Sequence, residues 1–157
     1  MSSETSDREI VISRLINAPR ELVFEAYSEL RHLSKWWGPE GFTTTTQSFD
    51  FRVGGEWNFV MHSPDGVDFQ EWIKWIDITP PDSLFLLHGA TPDDPDAFES
   101  HISFTSEGEA TRIEMKTIFP TREMRDEVVE KYHAIEGGQQ TLSKLNDYVM
   151  AIFNEGR

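Results

Sequence analysis

Five histidines, His32, His62, His88, His101 and His133, are the side chains of this sequence best suited to move a proton or hold a metal near neutral pH. No two of them stand at HExxH spacing, none is expected to pair with a carboxylate at Glu-x-x-His spacing, and no metal-ligand set is expected. Alternation puts His62 and His101 on the polar face of their strands, where surface histidines are ordinary. His88 follows the apolar run "LFLL", which places it at the mouth of any interior space. The serines form no Gly-x-Ser-x-Gly elbow. The run "VGGEW" lacks the lysine of a phosphate loop and lies between strands rather than before a helix. "PDDPD" lacks the spacing and central glycine of a calcium loop and reads as a solvated turn. With no cysteine, disulfides, thiol catalysis and thiolate metal sites are excluded together. No catalytic set and no cofactor is therefore expected. Three charged residues stand inside apolar runs: Arg14 in "IVISRLI", and Glu71 and Lys74 in "FQEWIKWI". Pointing outward they are solvated. Pointing inward they would orient a ligand or carry a shifted pKa.

The aromatic residues carry the stronger signal. In "FDFRVGGEWNFVMHSPDG", Trp57, Phe59 and Met61 alternate with smaller or polar residues, so three bulky side chains share one strand face. Such a row either fills a core or lines a hole, and lining is the expectation here. Trp36 and Trp37 stand close before it, Trp72 and Trp75 after it. The last two have opposite parity, so one of them should face outward unless a bulge intervenes, and an outward Trp would hint at a protein contact.

These residues need elements to position them. "REIVISRLI" (8–16) reads as a strand. Pro19 opens a helix whose stripe is Leu22, Val23, Ala26, Tyr27 and Leu30, and a second short helix ends at Gly38 and Pro39. The period then becomes two, with strands expected near 42–51, 55–62, 68–78, 83–89, 97–106 and 110–119. Gly, Pro and Asp clusters separate them, and links this short join antiparallel neighbours. Thr121 caps a final helix to about Phe153, with Gly137-Gly138 inside it marking a kink, a break or a close approach. The order predicts an α+β chain whose curved antiparallel sheet wraps the long C-terminal helix.

Bulk properties agree with one folded unit over 8–153 behind a loose tail at 1–7. The chain has 157 residues, 38% of them hydrophobic and 12% aromatic. A formal charge of −14 repels phosphate backbones, so nucleic acid and anionic membranes are poor partners. The N-terminus has no apolar leader and no run is long enough to span a bilayer, so no membrane insertion is expected and the cytoplasm is the expected compartment.

The element order, with "NAPRELVFEAY", "WWGPEGF", "RVGGEWNFVMHSPDG", "ITPPDSLFL" and "GGQQTLSKL", resembles the family that includes the C-terminal domain of the activator of the ninety-kilodalton heat-shock protein ATPase. That family lies in the helix-grip superfamily, with START lipid-transfer domains, the birch-pollen allergen group and polyketide cyclases. The resemblance covers about 8–153. It implies a helix-grip fold and an apolar cavity between sheet and helix. Where some relatives carry an aromatic beside the first glycine of the last motif, this chain has Gly138, which implies a roomier pocket. The candidate cavity residues are Trp37, Trp57, Phe59, Met61, Trp75, His88, Phe104, Met115, Tyr132, Leu142 and Leu145. Three functions are open: a binding protein for a small hydrophobic or aromatic ligand, a chaperone-associated protein-interaction module, and a cyclase-like enzyme. The last would need an inward Glu71 or His88 together with Arg14 or Tyr132. As for assembly, a monomer or weak homodimer is expected.

Overall fold

The computed structural model describes residues 6–155, apart from the side chains of Tyr132 and Glu155. Period-two alternation becomes seven strands: β1 (Glu9–Ile16), β2 (Thr43–Phe49), β3 (Glu56–His62), β4 (Asp68–Thr79), β5 (Ser83–Gly89), β6 (Phe98–Glu107) and β7 (Ala110–Ile118). They form one sheet in the order β1-β7-β6-β5-β4-β3-β2, and every neighbouring pair is antiparallel. Six consecutive strands, β2 to β7, are therefore a meander set by turn chemistry, while β1 pairs with the last strand. Of the tail expected at 1–7, residues 1–5 lie outside the described residues, and Ser6–Arg8 form a 3-10 turn.

Helices α1 (Arg20–Ser28) and α2 (Leu30–Trp36) carry the chain from one edge of the sheet to the other. Pro19 stands just before α1 in extended backbone, where its missing N–H costs nothing. α1 buries Val23, Phe24, Ala26 and Tyr27, one stripe at helical spacing. Trp36 is fully buried and donates its indole N–H to the Ala26 carbonyl at 3.1 Å, locking α2 to α1.

The expected single C-terminal helix is two, α3 (Arg122–Tyr132) and α4 (Ala134–Glu155). Thr121 caps α3 by accepting from the Met124 N–H at 3.1 Å. The break falls at His133, not at the glycines: His133 adopts a left-handed conformation (φ 53°) and its N–H bonds the Val128 carbonyl. Gly137 and Gly138 lie in continuous helix, and Gly138 marks a close approach. A Cβ on Gly138 would stand 2.4 Å from Cδ1 of Ile12 on β1. The two-helix connection and a seven-strand antiparallel sheet closed by a long C-terminal helix make this an α+β helix-grip fold.

Candidate functional site

α4 meets the sheet in two different ways. Its second half buries Leu142, Leu145 and Val149 completely. Its first half presents Ala134, Gly137, Gly138 and Thr141, too small to fill the space beneath. The result is a cavity of about 370 Å³. Its opposite wall is the inner face of the sheet: Met61 of β3, Leu86 and His88 of β5, Phe98, Ser100 and Ile102 of β6, and Met115 and Thr117 of β7. Tyr27 of α1 and the segment Trp37-Gly38-Pro39 complete the ring, with Val128 and Phe119 at the α3 side. Among the described residues no Asp, Glu, Lys or Arg lines it.

Its polar groups are few and differ in kind. His88 Nε2 lies 2.6 Å from Glu71 Oε1, and both side chains are mostly buried. An ionised carboxylate only accepts, so Nε2 donates. The His88 ring packs at 4.7 Å from Phe98 and 6.3 Å from Trp37. Tyr27 is 1% exposed, and burial alone pushes its phenol well above the usual tyrosine value. Its ring sits edge-on to Trp36 at 4.8 Å and to Phe104 at 5.5 Å. Ser100 is also buried, on the same wall.

A strap closes one side. The Lys144 ammonium donates to the Gly38 and Pro39 carbonyls, each at 3.2 Å, and the Glu40 N–H donates to Gln140 Oε1 at 3.2 Å. Burial pulls the Lys144 ammonium below the ordinary lysine value, with Glu40 opposing. The segment over the cavity is thus tied to α4 by three hydrogen bonds.

Of the residues expected to line a pocket, Trp37, Met61, His88 and Met115 do so. Trp57 and Phe59 do not border the cavity: fully buried, they stack on each other at 3.7 Å, with Trp37 edge-on over Trp57 at 5.1 Å. Trp75 and Phe104 are core residues, Trp75 against Phe51 at 4.8 Å and Phe104 against Phe24 at 5.4 Å. Leu142 and Leu145 belong to the filled half of α4. The Tyr132 side chain lies outside the described residues. Arg14 shares the inner face of β1 with Ile12 but borders Gln139 and Leu142, away from the cavity. Trp75 belongs to the core and Trp72, of opposite parity, does not, yet neither is exposed, at 0% and 3%. Tyr27, Phe98 and Ser100 were not anticipated, nor was the small-residue face of α4. That face had a readable signal, because Ala134, Gly138 and Thr141 precede Leu145 at helical spacing.

One cluster has the side chains of a metal site. Glu25, Glu29 and His32 bring a ligand atom each within 4.8 Å of one another, and Glu29-x-x-His32 corrects the expectation that no histidine has a carboxylate at that spacing. His32 Nδ1 is 2.6 Å from the Tyr148 hydroxyl and Nε2 is 3.2 Å from Glu25. Arg31 already supplies a cation, at 2.7 Å from Glu29. The arrangement serves as an ion-pair network joining α1, α2 and α4.

A family model described as activator of Hsp90 ATPase homolog 1-like protein matches residues 17–150. No curated protein matches the chain significantly. Among solved structures, a protein of Nitrosomonas europaea superposes with a TM-score of 0.84 at 22% identity, covering 93% of this chain and 96% of its own. One of Arthrobacter aurescens gives 0.85 at 22% identity, with coverage of 94% and 88%. An AHSA1 protein of Silicibacter pomeroyi gives 0.71 at 25% identity, with coverage of 91% and 98%.

Proposed function

The chain belongs to the activator of Hsp90 ATPase homolog 1-like family, and from that premise we propose that it binds a small, largely apolar ligand in the cavity between the sheet and the first half of α4. The observation that carries this reading is the largely apolar cavity of about 370 Å³, a volume in the range of small-molecule sites. Large residues would have filled it at little cost, since α4 fills the same groove eight residues later. Held open, the space has lost packing contacts, which a ligand restores.

An amide NMR titration with naphthalene-type aromatic probes tests it. Shifts gathered at Gly137, Gly138, Thr141 and Ser100 are expected, and they should vanish in Ala134→Leu, which fills the space. A flat response from the folded protein overturns the reading.

The Glu71–His88 pair favours a second reading, cyclase-like acid–base chemistry on a bound substrate, since a carboxylate-held imidazole beside a largely apolar cavity is suited to move a proton. It would show as turnover that His88→Gln abolishes while binding persists. A protein partner, the association in the family's name, ranks behind both because β4 offers no exposed tryptophan.

A further inference from the structure

We propose that Glu25, Glu29 and His32 bind a divalent transition-metal ion of the zinc class, which takes over the position of the Arg31 guanidinium and staples α1 and α2 to α4. None of the three residues lines the cavity, so the inference stands apart from the ligand-binding reading.

The histidine sets this cluster apart from an ordinary group of surface carboxylates. His32 is 5% exposed, and its ring is held from outside the cluster. Nδ1 lies 2.6 Å from the Tyr148 hydroxyl of α4, while Nε2 is turned toward the carboxylates, 3.2 Å from Glu25 Oε2. A metal-ligating imidazole has this arrangement: one nitrogen for the ion, the other hydrogen-bonded to a group behind it that fixes the tautomer and the ring plane.

Spacing and charge suit one ion. Bonds of about 2.0–2.2 Å in a tetrahedral shell set ligand atoms about 3.3–3.6 Å apart. The Glu25–His32 pair already stands near that separation, and all three ligand atoms lie within 4.8 Å of one another. The Glu29 side chain is 41% exposed and free to close the remainder by rotation. Two carboxylates and a neutral imidazole balance a divalent cation. Arg31 answers only part of that charge, at 2.7 Å from Glu29 and 4.0 Å from Glu25. Its side chain is 69% exposed, and an ion pair in that much water is weak enough to yield to three coordinate bonds. A mixed nitrogen and oxygen set favours zinc-like ions over calcium and magnesium, which take oxygen alone. Among the described residues this is the one group of three such ligands. The pairs His62–Asp68, His88–Glu71 and His101–Glu99 offer two each.

The test titrates zinc chloride into the full chain, followed by amide NMR and by the midpoint of urea unfolding. One equivalent is expected to bind, with shifts gathered at Glu25, Glu29, His32 and Tyr148, and the midpoint should rise with zinc because the ion binds only the folded chain at this geometry. Glu29→Gln removes one ligand at an exposed position and should weaken zinc by at least about tenfold. Arg31→Ala removes the competing cation and should tighten zinc by about threefold or more. That sign separates a metal site from a purely structural ion-pair network, in which losing Arg31 brings no gain. His32→Gln removes the buried nitrogen and should abolish binding; the other two variants keep the test decisive if this one fails to fold. Shifts centred on His62, His88 or His101 overturn the proposal. So does zinc affinity unchanged in both Glu29→Gln and Arg31→Ala, or binding of calcium as tight as that of zinc. Absence of saturable zinc binding to the folded wild type overturns it outright.

Discussion

The two halves of α4 lie over the same sheet and solve opposite problems. One stripe runs along the helix from Ala134 and Gly138 through Thr141 to Leu145 and Val149, and its direction does not change. Only side-chain size changes. At Leu142, Leu145 and Val149 the stripe is fully buried and the interior is filled. At Ala134, Gly138 and Thr141 the helix comes close enough for Gly138 to touch Ile12 of β1, yet leaves a cavity beyond. The cavity thus arises from omitted side-chain volume on an otherwise ordinary packing face, not from a bend in the backbone.

That contrast can be broken at its filled end first. Leu145→Ala should cost about 2–5 kcal/mol of stability by denaturant unfolding, because it opens a void where none exists; a loss below 1 kcal/mol would mean that this half is loose as well. The cavity end answers to pH. Tyr27 ionises near pH 10 in the unfolded chain but stays protonated in the folded one, so stability is whole below pH 10 and falls as pH rises above it. The slope from this group approaches about 1.4 kcal/mol per pH unit, and Tyr27→Phe should remove that part of it. Smaller effects separate the two glycines. Gly138→Ala drives a methyl into Ile12 Cδ1, and after the gain in helix propensity a net loss of about 1 kcal/mol is expected. Gly137→Ala meets only Pro39 Cγ at 3.4 Å, an ordinary contact, so helix propensity prevails and stability should rise by about 0.5–1 kcal/mol. Adjacent glycines with opposite signs would confirm close approach as the reason for the first and not the second.

Strand order and face were legible because alternation and turn chemistry are local: the seven expected strands match the observed ones to within a residue or two at each end. Depth was not. Trp57, Phe59 and Met61 share a face, as their spacing requires, but whether a side chain on that face borders empty space depends on what stands opposite. Opposite Trp57 stands Trp37; Met61 reaches Gly38 and borders the cavity. The burial of both β4 tryptophans was likewise beyond parity, which assigns sides but not cover. The break at His133 escaped because a histidine in left-handed backbone has no sequence mark, whereas the glycine pair drew attention to the wrong turn.

The pairing of β1 with β7 sets Glu9 against Ile118 and Ile16 against Thr111. These partners are separated by most of the chain, whereas each pairing from β2 to β7 closes between consecutive strands. Loop-closure entropy therefore favours the meander and penalises β1. During synthesis β1 emerges first and has no strand to join until β7 has left the ribosome. For that interval its outward Val11 and Leu15 and its inward isoleucines form an unpaired hydrophobic strand. The order in which the chain is made thus leaves an apolar strand unpaired longest, and the vulnerable time is set by the rate of translation across the segment between β1 and β7.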